Sequence, residues 1–135
     1  MRIEKDSLGE MEVPSDVYYG IHTCRSLENF TGAAEPMPIE IIYAMVKLKI
    51  ACARANEKMD LIEPEKSRAI ISGCDQILAG MHDDQFPIDV FQAGSGTSSN
   101  MNVNEVIANL ACEELGGQRG DRERVHPNDD VNKGQ

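Results

Sequence analysis

The stretch Gln92-Ala93-Gly94-Ser95-Gly96-Thr97-Ser98-Ser99-Asn100-Met101-Asn102 runs directly into a helical pattern, Val103-Asn104-Glu105-Val106-Ile107-Ala108-Asn109-Leu110. The first four N–H groups of a helix have no partner within it, and the helix dipole places partial positive charge at that end. The glycines allow a ligand to approach the backbone closely, and the hydroxyl and amide side chains add neutral donors. The join between loop and helix therefore predicts a site for a small anion.

The composition of this loop narrows the kind of anion. The loop lacks the Gly-Lys-Ser/Thr ending of a nucleotide P-loop, and Gly94-x-Gly96 lacks the third glycine of a dinucleotide fingerprint. It also holds no Lys or Arg, which favours a carboxylate over a polyphosphate. The alternative is a mobile Gly/Ser linker that ends in a helix N-cap. The apolar segments on both sides, and three Asn at every second position from 100 to 104, favour the anion site.

Hydrophobic spacing predicts three main helices. The clearest is a helix of roughly 14 residues, which we expect to be capped by Asn102 with Glu105 and ended by Gly116-Gly117. Two earlier helices are predicted to run from Pro38 to about Met59 and from Pro64 to Gly80.

The segments outside these helices are expected to be extended or irregular. Residues 1–20 read as short extended pieces with a turn at 8–10, residues 21–37 as polar positions followed by a loop, and residues 81–91 as an extended anchor. Together these patterns predict a mainly α fold, a small orthogonal helical bundle with short extended or hairpin pieces at the N-terminus.

Length and charge limit the classes of function. The chain has 135 residues, the size of one domain, with 41% hydrophobic and 4% aromatic residues, which indicates an aliphatic core. The net charge of −10 argues against binding to nucleic acid or to anionic membranes. We expect a cytoplasmic protein, since the N-terminus has no signal-peptide pattern. Four scattered cysteines, at 24, 52, 74 and 112, are expected to be free and mostly buried.

Three further groups of polar residues have open interpretations. His82 with Asp83 and Asp84 has the composition of a metal site, but three adjacent residues cannot surround an ion, so we expect no metal. Arg25 fits either a surface ion pair or contact with an anion or a neighbouring subunit. Residues 126–130, His-Pro-Asn-Asp-Asp, read as a tight turn that is either a plain surface turn or a cluster of ligand-binding side chains.

Several segments together resemble one known family. Residues 94–109 are similar to the first signature region of the class II fumarase and aspartase superfamily, and residues 126–133 to the segment before its second signature. Segments near the N-terminus and residues 83–87 match as well. The resemblance covers nearly the whole chain. It implies that residues 1–135 are the N-terminal domain of a longer subunit, whose central helical-bundle and C-terminal domains are absent here.

The resemblance also implies an activity and a set of binding residues. Enzymes of this superfamily are homotetramers that add water or ammonia reversibly to fumarate, with no cofactor expected, at active sites built from three subunits. Ser95 and Thr97 match hydroxyls that hold the substrate, and Asn100 matches an amide of the same loop. A second dicarboxylate site matches His126, Asn128 and Asp129. The residues of acid–base catalysis lie beyond this chain, so the chain alone is expected to be inactive.

The sequence motifs do not agree on whether the enzyme adds water or ammonia to fumarate. Ser95 and residues 115–117 and 125–133 are more similar to fumarases, whereas Ser98 and residues 18–20 and 84–87 are more similar to aspartases. We favour a fumarate hydratase, with aspartate ammonia-lyase as the alternative. A helical binding or assembly module is the non-enzymatic alternative.

Overall fold

The computed structural model describes residues 1–29, 35–90, 92 and 96–135. Strands β1 (Arg2–Asp6) and β2 (Gly9–Val13) form an antiparallel hairpin in which Arg2 lies opposite Val13. The turn between them is held by the Leu8 N–H, which donates to the Asp6 carboxylate at 2.9 Å, and by Gly9 at φ 120°. The predicted extended pieces are confirmed, while the turn lies at residues 7–8 and not at the predicted residues 8–10, because Gly9 and Glu10 already belong to β2.

The two helices predicted from proline starts are confirmed. Helix α2 (Ile39–Lys58) follows Pro38, and α3 (Pro64–Leu78) begins on a proline whose missing N–H costs nothing in the first turn. Gly80, at φ 81°, ends the turn after α3 in a conformation that glycine adopts readily. Both helices pack with α4 (Thr97–Glu114) around one aliphatic core, whose largest fully buried members include Ile42, Ile70, Ile77 and Ile107.

The predicted start of α4 is wrong. The helix begins at Thr97 rather than at Asn102, directly after Gly96 at φ 96°. The Gln92 side chain stabilises this first turn, because its Oε1 accepts from the Ser99 N–H at 2.9 Å and its Nε2 donates to Ser99 Oγ at 2.9 Å. Thr97 and Asn100 are therefore helical residues, and Asn102 lies inside the helix, fully buried.

Helix α1 (Ile21–Asn29) was not predicted, since the sequence reads there as irregular polar positions. Its N-terminal N–H groups are capped from far along the chain. Glu105 accepts from the N–H groups of His22 and Thr23, and Glu4 accepts from the N–H of Ile21. The expected local pairing of Asn102 with Glu105 as a cap of α4 is wrong for the same reason: the Glu105 carboxylate serves α1.

The segment before the polar loop is only partly extended. Residues Asp83–Gln85 form a single 3-10 turn, which corrects the prediction of an extended segment there. The residues after this turn pair with the segment before α2 through backbone hydrogen bonds. Met37 N donates to the Ile88 carbonyl at 3.1 Å, and Val90 N donates to the Glu35 carbonyl at 2.9 Å. Near the C-terminus, Pro127–Val131 form one π-helical turn packed against α4.

The fold is mainly α, with the N-terminal hairpin as its sheet, as predicted. All four cysteines are free, and Cys24, Cys74 and Cys112 are buried. Burial raises the pKa of the Cys74 thiol to about 12, so this thiol is neutral at physiological pH. Within the described ranges, no helix is both long enough and apolar enough to cross a membrane.

Candidate functional site

The first turn of α4 presents one exposed hydroxyl. Thr97 is exposed, and its hydroxyl has no hydrogen-bond partner among the described residues. The next two hydroxyls are buried and used internally, since Ser98 Oγ lies 3.2 Å from Ser26 Oγ and Ser99 bonds to Gln92. Ser95, the other predicted hydroxyl, lies outside the described residues. Thr97 is thus the described side chain best placed to meet a ligand at this helix end.

A buried cation lies behind this turn. Lys49 of α2 is 2% exposed, and its Nζ donates to three side-chain oxygens: Asn100 Oδ1 at 2.8 Å, Asn132 Oδ1 at 2.9 Å and Gln135 Oε1 at 2.8 Å. These bonds use every N–H of the ammonium. None of the described carboxylates lies within ion-pair distance of it. Burial lowers the pKa of Lys49 to about 8, and within the described ranges the charge that it carries at neutral pH has no carboxylate partner.

The turn at 126–130 brings its predicted residues together. His126 Nδ1 accepts from the N–H groups of Asn128 and Asp129, each at 3.0 Å. An Nδ1 that accepts two hydrogen bonds carries no proton, so the proton of the neutral ring is on Nε2. Asn128 and Asp129 are exposed and His126 is half-buried. The turn is confirmed, while its role in binding a dicarboxylate stays a prediction.

Amide side chains connect the two regions. Asn100 Nδ2 donates to Asn132 Oδ1 at 3.3 Å, and Asn132 Nδ2 donates to Asn128 Oδ1 at 3.2 Å. The first turn of α4 and the turn at 126–130 are therefore joined through a single asparagine. Sequence reasoning missed both Asn132 and Lys49 as parts of the site.

A signal for Lys49 was present in the sequence. The buried positions of α2 recur at helical spacing, and Lys49 falls on that stripe with Ile42, Val46, Ala53 and Asn56. A lysine on the core face of a helix has to find buried acceptors, which makes it a candidate for a polar network.

The remaining candidates have structural partners. Arg25 donates to both carboxylate oxygens of Asp6, at 2.8 and 2.9 Å, which confirms the ion-pair interpretation. That bond lowers the pKa of Asp6. His82 stacks edge-on against Tyr18 with ring centroids 5.0 Å apart. No group of three metal-ligating side chains converges anywhere in the part of the chain that the structure describes.

The comparison with protein families gives a clear match. A family described as "Lyase" matches residues 9–135. The chain belongs to this lyase family. The match covers both parts of the site, since it includes Thr97, Asn100 and the whole of 126–130.

Individual relatives of this lyase-family chain agree in sequence and structure. It is 53% identical over 135 residues to the class II fumarate hydratase of Myxococcus xanthus, covering 100% of this chain and 29% of that protein. A crystal structure described as fumarate lyase:delta crystallin from Brucella melitensis matches with a TM-score of 0.96 and 48% identity, over 100% of this chain and 31% of that one. The recombinant class II fumarase from Schistosoma mansoni matches with a TM-score of 0.94 and 44% identity, over 99% and 28%. The chain thus spans less than a third of the length of these relatives.

This lyase-family chain already holds carboxylates at one helix N-terminus. Glu105, 1% exposed, accepts from His22 N at 2.9 Å, Thr23 N at 2.9 Å and Thr23 Oγ1 at 2.6 Å at the start of α1. Burial raises the pKa of Glu105, and these hydrogen bonds oppose the shift. The fold therefore contains an internal example of the interaction that a carboxylate ligand would make at the start of α4.

Proposed function

We propose that this chain is the N-terminal domain of a class II fumarate hydratase, which catalyses the reversible hydration of fumarate to (S)-malate. The observation that carries the proposal is the first turn of α4, which presents the exposed Thr97 and holds Asn100, whose Oδ1 accepts a hydrogen bond from the buried Lys49 ammonium at 2.8 Å. Neutral donors backed by one uncompensated positive charge suit a small dicarboxylate, because each carboxylate gains a hydrogen bond and charge stabilisation. Relatives named fumarate hydratase at about 50% identity support the same reaction.

Thr97, with Ser95 and Asn100, would hold one end of the substrate. Addition or removal of water next to a carboxylate develops further negative charge on that carboxylate in the transition state. Fixed donors aimed at it stabilise that charge, and removal of one such donor typically costs about 3 kcal/mol. The general acid and base would be supplied by other parts of the enzyme, so this chain by itself would bind but not catalyse.

His126, Asn128 and Asp129 would form a second dicarboxylate site that binds without catalysing. The exposure of Asn128 and Asp129 supports this role, as does the His126 ring, whose Nδ1 accepts from the backbone and whose Nε2–H is left as a donor.

The whole enzyme would be a cytoplasmic homotetramer of longer subunits. Exposed apolar side chains on α2 support a covered surface, since Ile41 is 42% and Leu48 58% exposed in the isolated chain. The net charge of −10 makes the localised positive charge at Lys49 more important for attracting a dianion.

The two alternatives have less support. Aspartate ammonia-lyase is not favoured, because relatives more than 50% identical to this chain carry the name fumarate hydratase. A helical binding module has no observation in its favour beyond the small size of the chain.

The decisive experiment is an assay of the longer subunit with malate and, separately, with aspartate, following fumarate by its absorbance. We expect turnover of malate and none of aspartate. Turnover of aspartate alone would establish the ammonia-lyase instead, and turnover of neither substrate would reject both reactions.

A further inference from the structure

The position of Lys49 in the core does not by itself explain why a charged side chain is found there. Burial of a charge is costly, and an apolar side chain of similar volume usually fills such a position at lower cost. Lys49 nevertheless lies on the core face of α2 and meets only neutral amide oxygens. Its charge is therefore kept rather than cancelled by a carboxylate among the described residues.

The three acceptors come from two separate parts of the candidate site. Asn100 belongs to the first turn of α4, three residues after Thr97, while Asn132 caps the end of the turn Pro127–Val131. Asn132 is shared, because its Oδ1 accepts from both Lys49 and Asn100, at 2.9 and 3.3 Å. Its Nδ2 then holds Asn128 at 3.2 Å. One ammonium thus fixes the orientation of an amide in each proposed dicarboxylate-binding region.

We propose that Lys49 is a positioning residue for dicarboxylate binding, which orients Asn100 and Asn132 and supplies positive charge to both binding regions. This inference rests on the proposed function. Lys49 would act through the amides and through its field, without touching the substrate. A unit charge about 8 Å from a carboxylate, in a medium of effective dielectric constant near 20, changes binding roughly 30-fold.

The titratable groups around Lys49 are few among the described residues. The charges of Cys52 on α2 and Cys74 on α3 act on it, while Asn100, Asn132 and Gln135 contribute neutral amide oxygens. The Cys74 thiol is neutral in the relevant range, with its pKa raised to about 12. Loss of the Lys49 proton above pH 8 therefore removes the positive charge from this cluster.

The test compares four forms of the longer subunit with fumarate as substrate: wild type, Lys49→Met, Lys49→Arg and the control Lys47→Met. Lys47 is exposed on the same helix. We expect Lys49→Met to raise KM for fumarate about 30-fold and to change kcat less than about 3-fold. Lys49→Arg, which keeps the charge, should restore most of the affinity, and Lys47→Met should match wild type.

The pH profile provides a second readout, and its wild-type arm does not depend on any variant folding. The wild-type KM should rise as the pH passes from 7 to 9, and the KM of Lys49→Arg should not follow it, because arginine stays protonated. A folded Lys49→Met enzyme with normal KM, or a wild-type KM that is flat across this range, would overturn the inference while leaving the proposed function intact. A wild-type enzyme that turns over no fumarate at any pH would overturn both this inference and the proposed function.

Discussion

The N-terminus of α1 and the N-terminus of α4 offer similar chemistry to an anion and differ in what occupies them. At α1, Glu105 and Glu4 fill the position, so that three backbone N–H groups and one hydroxyl are satisfied inside the domain. At α4, the described residues supply hydroxyls, amides and a buried ammonium but no carboxylate. The comparison shows that a helix N-terminus is a stabilising feature when the protein itself provides the anion, and it leaves the α4 N-terminus as the end at which we propose that an external carboxylate binds.

The largest expected effect on stability comes from removing the Glu105 carboxylate from the N-terminus of α1. Glu105→Ala should destabilise the 135-residue chain by about 3–5 kcal/mol, because it leaves buried donors of His22 and Thr23 unpaired. Urea denaturation measures the change. Glu114→Ala, at an exposed position of the same helix, is the control and should change stability by less than about 0.5 kcal/mol. A loss below 1 kcal/mol for Glu105→Ala would show that the carboxylate is not what holds α1.

Removal of a donor at the open site should affect turnover rather than stability. Thr97→Ala in the longer subunit should lower kcat for malate about 100-fold, which corresponds to about 3 kcal/mol of transition-state stabilisation. Its stability should stay within about 0.5 kcal/mol of wild type, because the side chain is exposed. Thr97→Ser keeps the hydroxyl and serves as the matched control. Near-normal turnover of Thr97→Ala would break the comparison, since the α4 terminus would then not act on the substrate.

A side chain added next to the Glu105 carboxylate should have an intermediate effect on stability. A Cβ added at Gly20 would overlap Oε2 of Glu105 and would come within 2.9 Å of Glu4 Oε1. Gly20→Ala should therefore cost about 1–3 kcal/mol in unfolding free energy. In a double-mutant cycle, the same substitution should cost less in a Glu105→Ala background, since the overlapping atoms are gone. Strictly additive effects would mean that Gly20 is required for another reason.

The smallest expected effect is on the pH dependence of folding stability, to which Lys49 and Glu105 contribute with opposite signs. For Lys49, a pKa near 8 in the folded chain lies below the ordinary value of 10.5, so the unfolded chain binds more protons between these values. Stability contributed by this group therefore rises with pH. Between pH 7 and pH 9, the unfolding free energy of wild type should rise by about 1 kcal/mol relative to that of Lys49→Met. For Glu105, whose pKa is raised above its ordinary value of 4.5, stability falls as the pH rises through that value.

Urea denaturation of both proteins at the two pH values measures the Lys49 contribution. The thiols of Cys24, Cys74 and Cys112 have pKa values raised to about 11 or 12, but they are common to wild type and variant and cancel in the difference. An equal pH dependence of the two proteins would show that the ammonium is not desolvated in the folded chain.

Local signals predicted the parts of the fold that local interactions determine. Proline starts, glycine stops and apolar spacing located α2 and α3, and a short polar turn located the hairpin. Helix α1 was missed because its cap comes from Glu105, 83 residues further along the chain. The first turn of α4 was missed because Thr97, Ser98 and Ser99 favour helix weakly, and the Gln92 side chain stabilises them.

The candidate site was predictable in its parts but not in its connections. Thr97 and Asn100 follow from the loop-to-helix pattern, and His126 with its neighbours from the turn. Their connection through Lys49 and Asn132 depends on contacts between residues 51 and 83 positions apart, which no local pattern encodes. The polar residue on the apolar stripe of α2 was the one sequence signal that pointed to this network.

The remote capping of α1 has a consequence for the order in which the chain folds. A helix of nine residues is only marginally stable by itself in water, and its N-terminal donors are satisfied here by a carboxylate that α4 provides. We therefore expect α1 to form only after α4 has packed, although α1 precedes α4 in the chain. The entropy cost of bringing residues so far apart in sequence together has to be met before the capping contact forms, so we expect α1 to form late in folding.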